Sequence, residues 1–558
     1  MDPIGSSCYN LHIEEAARAT LEEEERQGGE LAEIIVSVRS LTRYEGRNLK
    51  SMGPQIMGAA IAASYHFVVG ISLAYSAILI PHLDTNFTNA TSDDIIATKT
   101  ETSWIASAIV IVAPIGGITG GFLMDGVGRL NTLKLAAIPS IIGWSTIALA
   151  SNVPMLIIGR VLTGLATSWG TSPAIVYITE IARVDARGSL ISFGPAYASL
   201  GMMVAFLKGY FLSWRIVAWL CIAYSLIPVI LIQLLVQESP PWLVSKGRKD
   251  EAAKSLNWIH KNQPQPDHRP ETLAELQLNL LQKEHQLKME EQSKKGSGFA
   301  QKAKEFLKPT GYKPLLLLFG LFFFQQFSGI YITLFYSITF FKETHSAMDG
   351  YLASVLIGCI RFLMSCINTY MLRSFHRRPL IMVSGITMAL CMTLCGFYTK
   401  WIREGTTTHN WVPTVLLLIY VITTMIGLLP IPWTMTAEMF PIEIRGVAHS
   451  IAYSIANLLM FASVQMFYTL QDWFGGIVGI QWFFAVISIL ASVYTFLILP
   501  ETHGKKLSEI TNYFNNSGFF YICSEDSKSK KQNKNKNVSR VPRKDVKQAN
   551  NQNQKLIK

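Results

Sequence analysis

Two adjacent amides, Gln325 and Gln326, are the residues best placed to do chemistry here. They sit near the middle of the apolar stretch Gly320 to Ser337 and are followed by Ser328 and Gly329. Hydrocarbon cannot hydrate an amide, so polar side chains at mid-membrane depth face a bundle interior or a water-filled path. Two readings stay open. The pair is one wall of a binding cavity, or it is hydrogen-bonded glue between neighbouring helices. A second set of candidates is charged. Glu180 is followed seven residues later by Arg187-Gly188, and Glu438 seven residues later by Arg445-Gly446, each glutamate shortly after a proline, Pro173 or Pro432.

The elements that must position these residues are membrane spans. Half of the 558 residues are hydrophobic and only 16% are charged, a membrane-protein balance. About 20 helical residues cross a hydrocarbon core of roughly 30 Å, and twelve apolar stretches of that length can be drawn: 56–80, 103–123, 133–150, 155–178, 189–212, 217–237, 314–337, 349–372, 379–398, 412–437, 448–470 and 478–499. The organisation predicted is an N-terminal tail, 1–54; a six-helix bundle, 55–237; a polar insert, 238–313; a second six-helix bundle, 314–500; and a basic, disordered tail, 501–558. No cleavable signal is expected, because the first fifty residues are polar and acidic at Glu22 to Glu25. Five cysteines lie in apolar spans and two in polar tails, so no disulfide framework is indicated. The formal charge of +11 comes largely from the Gln/Asn-rich tail after Lys528, which reads as solvated and brushing anionic lipid rather than nucleic acid.

Lysine and arginine in short loops set orientation. Arg129 and Lys134, Arg183 and Arg187, the 238–313 insert, Arg373 with Arg377 and Arg378, Arg445 and the C-terminal tail share one side when the spans alternate, which makes that side cytoplasmic, with both termini there. The loop 81–102 on the opposite side carries the sequons Asn86-Phe-Thr88 and Asn89-Ala-Thr91, usable only on a lumenal or extracellular surface. Within the insert, Asp250 to His260 reads as a short helix, and Leu273, Leu276, Leu280 and Leu287 form an apolar stripe.

The two halves repeat. Besides the paired Glu–Arg spacing, Asp125-Gly-Val-Gly128-Arg129 in the second-to-third-span loop has its counterpart in Arg373-Ser-Phe-His-Arg377-Arg378. Duplicated six-span units build transporters with a site near the midplane between the bundles. If Glu180 and Glu438 meet the loop arginines across the cytoplasmic mouth, those ion pairs hold it closed and alternating access requires breaking them. The plain alternative is arginines that only set topology, since exposed pairs contribute ~0–1 kcal/mol.

Over most of 55–510 the chain resembles the sugar-porter branch of the major facilitator superfamily. The residues that carry this are Gly121-Phe-Leu-Met-Asp125-Gly-Val-Gly128-Arg129, Gly159-Arg160 with Gly164, Glu180 to Arg187-Gly188, Glu238-Ser-Pro240-Pro-Trp242, Gln325-Gln326-Phe-Ser-Gly329, Pro430-Ile-Pro432-Trp433, Glu438 to Arg445-Gly446 and Pro500-Glu501-Thr502-His-Gly504. The resemblance implies an all-α membrane protein of twelve transmembrane helices in two pseudo-symmetric six-helix bundles with a cytoplasmic helical insert, and inner and outer gates rocking about a central sugar site. It implies that Gln325 and Gln326 bind sugar hydroxyls, which suits their paired donors and acceptors, and that Trp433 packs near the sugar. Read without the family, the alternative for Trp433 is a bundle-packing or interfacial tryptophan.

Departures from the family pattern mark three further binding-site positions. Tyr331 stands where the family places Asn, Arg361 aligns with an eighth-span Asn, and Asn457 stands at an eleventh-span Trp position; Pro195 replaces a fifth-span glutamine. Arg361 is a charge that the bilayer accepts only if it snorkels, pairs or faces water; it binds an anionic solute or pairs with a neighbouring helix. Proton-coupled relatives use a first-span Asp opposite the fourth-span arginine, here Arg160, and span 56–80 has no Asp or Glu, only His66. The expectation is facilitative transport of a neutral sugar, trehalose or a hexose, at the plasma membrane. A transporter-like receptor that binds without moving solute, and a small-organic-anion carrier using Arg361, are the alternatives. No cofactor, metal or nucleic-acid partner is expected, enzyme activity is not indicated, and the partners are solute and bilayer. If Asn86 and Asn89 face the lumen during synthesis, glycosidase digestion shifts the gel mobility of the protein made in insect cells, and the double variant Asn86→Gln/Asn89→Gln loses that shift; an unchanged shift in the double variant refutes the orientation.

Overall fold

The computed structural model describes residues 50–83, 95–183, 186–262, 272–295, 306–346, 348–441, 444–505 and 507–516. The described residues are helical, with no strand among them. Eleven helices are long and apolar enough to cross a bilayer: Gly53–Leu83, Lys99–Val127, Val153–Ile181, Arg187–Phe211, Trp214–Leu235, Pro309–Phe335, Gly350–Ser374, Arg377–Arg403, Val412–Glu438, Arg445–Gln465 and Ile477–Leu497. The twelfth is Arg129–Ala148, third in order, which is less apolar because Arg129, Asn131 and Lys134 occupy its first two turns. Large side chains such as Phe122, Leu234 and Phe211 stay exposed on these helices, as lipid-facing positions do when the backbone is satisfied internally.

The chain divides into two compact units. The first comprises Met1–Phe299 with Leu334–Lys342 and Asp349–Thr369, and the second Ala300–Thr333 with Glu343–Met348 and Tyr370–Lys558. This grouping differs from the expected bundle bounds, in that the second half of the seventh span and most of the eighth pack with the first unit. The seventh span allows this because it is interrupted after Phe327, where Gly329 takes φ +93°, before helix resumes at Ile332.

Backbones in the first unit approach closely where side chains vanish. A Cβ on Gly70 would lie 1.9 Å from the Ala198 carbonyl oxygen, and one on Gly201 would lie 2.1 Å from that of Phe67, so the first and fifth spans cross at van der Waals contact of their main chains, as small residues permit in membranes. The Tyr65 hydroxyl donates to the Ala136 carbonyl at 2.9 Å, tying the first span to the third inside a core that includes Leu133, Tyr177 and Ile181. In the second unit a Cβ on Gly427 would meet the Leu380 carbonyl oxygen at 2.3 Å.

The polar insert folds as Pro240–Ser245, Lys249–Ile259 and Leu273–Lys295. Leu273 and Leu280 of the expected stripe are buried with Leu276 against them, and Leu278 and Leu281 pack on Trp242, Leu243 and Val244. The tail departs from the disorder expected from residue 501: Leu507–Asn516 is a helix that buries Ile510 and Phe514, and Lys313 Nζ donates to the Phe514 carbonyl at 2.9 Å. Its apolar residues recur at helical spacing, which the basic composition further along conceals.

Gly70→Val forces apart two main chains that have no side chain to yield. It should lower stability by about 1–3 kcal/mol or more, read as a fall in the thermal unfolding midpoint of the detergent-purified protein; an unchanged midpoint would contradict the crossing.

Candidate functional site

The first half of the seventh span, Pro309–Phe327, carries Gln325 and Gln326, both fully buried. Gln325 Nε2 donates to two backbone carbonyls of the tenth span, Leu428 at 2.9 Å and Leu429 at 2.7 Å. Its Oε1 accepts from Gln326 Nε2 at 3.0 Å, and Gln326 Oε1 is buried without a hydrogen-bond donor among the described residues. The tenth span needs those donors because it is broken: helix Val412–Ile426 stops at Gly427 and resumes at Ile431–Glu438. Ser384 of the ninth span closes the other side of the break, its hydroxyl donating to the Thr423 carbonyl at 2.7 Å and accepting from the Leu428 N–H at 3.1 Å. Tyr420 joins the two interruptions, its hydroxyl reaching the Ser328 carbonyl at 2.8 Å.

Beyond the break the tenth span presents Trp433, whose ring lies 4.9 Å from Phe322 and 5.9 Å from Tyr453. Phe322 is one turn before Gln326 on the same helix face, so the amide with the open acceptor and the half-buried aromatic group are neighbours. Asn457, one turn beyond Tyr453, is buried and spends Nδ2 on the Tyr453 carbonyl at 2.8 Å. Tyr331, also buried, lies in the interruption of the seventh span. Arg361 is buried in Gly350–Ser374 and belongs to the first unit.

The charged candidates form two parallel networks, one in each unit. In the first, Arg129 grips Glu180 in a forked pair, Nη2 to Oε1 at 2.8 Å and Nε to Oε2 at 3.0 Å, and adds Asp125 at 3.4 Å. Ser239 also donates to Glu180, and Glu238 accepts the N–H groups of Arg129, Leu130 and Ser239, capping the third span. In the second, Arg377 Nη2 meets Glu438 Oε1 at 3.0 Å, Thr502 donates to Glu438 Oε2 at 2.5 Å, and Glu501 accepts the N–H groups of Arg377, Arg378 and His503. Each pair therefore closes inside its own unit, whereas the expectation was pairing across a mouth. Of the arginines that follow the glutamates, Arg445 donates to the Phe440 carbonyl and Arg187 is exposed. The reason is reach: Arg129 and Arg377 begin the third and ninth helices directly beside the glutamates that end the fourth and tenth.

Arg160 is fully buried in the first unit. Its guanidinium donates to the Ser72 carbonyl at 2.7 Å, the Ile105 carbonyl at 3.2 Å and the Ser76 hydroxyl at 2.5 Å. His66 of the first span contacts the Ala63 carbonyl of its own helix at 3.2 Å. Asn86 and Asn89 lie outside the described residues. Sequence reasoning missed Ser384, Phe322, Tyr453, Ser239 and Thr502. The last two had a signal, the Glu-Ser of 238–239 and Glu-Thr of 501–502 at the same place after the sixth and twelfth spans; the others are ordinary apolar-span residues until the broken helix is seen.

Twelve spans arranged in this way, with duplicated Glu–Arg–hydroxyl networks and interrupted seventh and tenth helices, define a multi-pass membrane protein of the major facilitator fold. Residues 58–514 match the family described as Sugar (and other) transporter, and the chain belongs to that family. It is 32% identical to the facilitated trehalose transporter of Culex quinquefasciatus, covering 82% of this chain and 85% of that one, and 31% identical to that of Apis mellifera ligustica, covering 82% and 88%. The Drosophila yakuba and Drosophila virilis trehalose transporters are 30% and 29% identical, and the chain spans only about half their length, 56% and 52%. Among solved structures, an inward-open xylose transporter from E. coli superposes with a TM-score of 0.65 at 21% identity over 81% of this chain and 98% of that one, which supports the fold.

The two capping carboxylates differ in a way that acid should reveal. Burial pushes the Glu238 carboxyl above its ordinary range against the pull of its backbone donors. For Glu501, burial is again the largest influence, but the backbone donors and His376 together outweigh it and hold the carboxyl below that range. A lowered group contributes stability that is complete above its unfolded pKa of about 4.3 and is lost as pH falls through the lower folded value. A raised group takes up its proton earlier in the folded state, so the fold gains stability as pH falls toward the unfolded value. Titrating thermal stability downward from pH 7, the stability of wild type relative to Glu238→Gln should rise while still above pH ~4.3, because the amide cannot take up that proton, whereas the penalty of Glu501→Gln should persist to that point and shrink only below; identical profiles would refute the distinction.

Proposed function

We propose that this protein is a facilitative carrier that moves a neutral sugar across the plasma membrane by alternating access, with trehalose or a hexose as its solute and both termini in the cytoplasm. The observation that carries this reading is Gln326: a fully buried amide oxygen with no donor among the described residues, one turn from the Phe322 ring, which meets half-buried Trp433 edge to face. An unmatched buried acceptor is costly, and a hydroxyl donor offsets that cost while the aromatic face covers the apolar side of a pyranose. Family membership and the printed names of the insect relatives support a sugar as the solute.

Passive rather than proton-driven movement follows from Arg160. The three groups that receive its hydrogen bonds are neutral oxygens, and the first span offers no carboxylate to take up and release a proton beside it. The Glu180 and Glu438 networks each tie the ends of helices together within one unit.

Radiolabelled trehalose and a hexose panel, presented to the purified protein in proteoliposomes, should show saturable counterflow and equilibration without accumulation, unchanged by a protonophore at constant membrane potential. Uptake that collapses with the protonophore would overturn the facilitative reading, and binding without counterflow would overturn transport altogether.

A further inference from the structure

We infer that His376 and His503 form a binding site for a transition-metal ion, Zn²⁺ foremost, beside the Arg377–Glu438 network of the second unit. The two imidazoles lie with ring centroids 5.4 Å apart and planes at 83°. A tetrahedral Zn²⁺ with Zn–N bonds of about 2.0–2.1 Å sets two imidazole centroids roughly 5 Å apart, so the observed spacing suits an ion held between the rings. His376 is exposed and His503 half-buried. Among the described residues their ring nitrogens make no hydrogen bond, and the soft χ2 of histidine lets either ring turn a nitrogen toward the gap.

The backbone holds the pair in place before any ion arrives. Glu501 Oε1 accepts the N–H of Arg377, next to His376, and the N–H of His503 itself, both at 3.0 Å. One carboxylate thus pins both ligand-bearing segments, which lowers the ordering cost of chelation, and its negative charge beside the rings favours a cation. The repeat supplies a comparison. Arg129 opens the third span as Arg377 opens the ninth, and Glu238-Ser-Pro240 follows the sixth span as Glu501-Thr-His503 follows the twelfth, so Gly128 and Pro240 stand where the second unit has its histidines. The carboxylate cap therefore works without imidazoles, and His376 makes no side-chain capping bond of its own; the rings are an addition to the shared design. Imidazole selects Zn²⁺, Cu²⁺ and Ni²⁺ over Mg²⁺ and Ca²⁺. Among the described residues no group of three His, Cys, Asp or Glu forms a metal cluster, so water fills the remaining positions and binding is weaker than at a four-ligand structural site. The histidines directly flank Arg377 and Thr502, both bonded to Glu438, so an ion between them braces that network. The site stands on geometry within the second unit, whatever the solute.

Full-length protein, purified in detergent without a polyhistidine tag and stripped with chelator, tests this with Zn²⁺ and with Cu²⁺ as a spectroscopic probe. Calorimetry should show saturable Zn²⁺ binding in the micromolar range and none of Mg²⁺, and bound Cu²⁺ should carry nitrogen superhyperfine splitting in its electron paramagnetic resonance spectrum. His376→Asn and His503→Asn should each weaken that binding by at least the ~10-fold that even an outer-shell partner of a metal is worth. Asparagine suits a helix N-cap, so His376→Asn keeps the ninth helix start intact. His409→Asn, which removes an exposed histidine elsewhere in the same unit, should leave binding unchanged. Saturating Zn²⁺ should raise the thermal unfolding midpoint of the wild type by a few degrees and leave that of the double variant His376→Asn/His503→Asn where it was. A wild type that binds neither ion, or undiminished binding in either single variant, would overturn the site. Zn²⁺ bound by the wild type with no change in midpoint would overturn the bracing.

Discussion

A membrane-spanning helix must satisfy its own backbone, and among the described residues this protein departs from regular helix for four residues around Gly329 and again from Gly427. In hydrocarbon each stranded N–H or carbonyl costs several kcal/mol, so a break survives only if side chains are brought to it. That requirement accounts for much of the second unit. Gln325 supplies two donors, Ser384 an acceptor and a donor, and Tyr420 a donor to the carbonyl of Ser328. The polar residues that looked like a binding wall are first of all the means by which two interrupted helices remain buried. Among the described residues, the Gln326 oxygen is left over from that work.

The charged ends show the same economy twice. Arg129 with Glu180 and Arg377 with Glu438 are tethered by a hydroxyl from the residue after the sixth or twelfth span, and each is backed by a carboxylate that caps the helix bearing the arginine. The duplicated design is not identical. The third-span cap begins at Gly128 with φ +109°, and the ninth-span cap begins at His376 in extended backbone. The His376 imidazole beside Glu501 accounts for part of the difference in how the two carboxyls hold their protons.

The fold was largely legible in the sequence because hydrophobic length is a direct physical requirement of the bilayer, and twelve such lengths are visible at a glance. The networks were half legible. The matched Glu-to-Arg spacing announced a repeat and the loop arginines were legible as a set, but that Arg129 and Arg377, rather than Arg187 and Arg445, adjoin the glutamates shows only once the helices are packed. The amide pair was found, but spacing alone does not say which amide is spent on backbone; that depends on where the tenth span breaks, and Gly427 among ordinary apolar residues gives no sign of it. Ser384 was invisible for the same reason.

Gly427 is held to its identity by a neighbour. The Leu380 carbonyl fills the space that even an alanine methyl would take. That restriction is imposed by the ninth helix. Evolution along this lineage can therefore alter that letter only in company: the ninth helix would have to retreat first, taking Ser384 with it, so the two helices are bound to drift together or not at all.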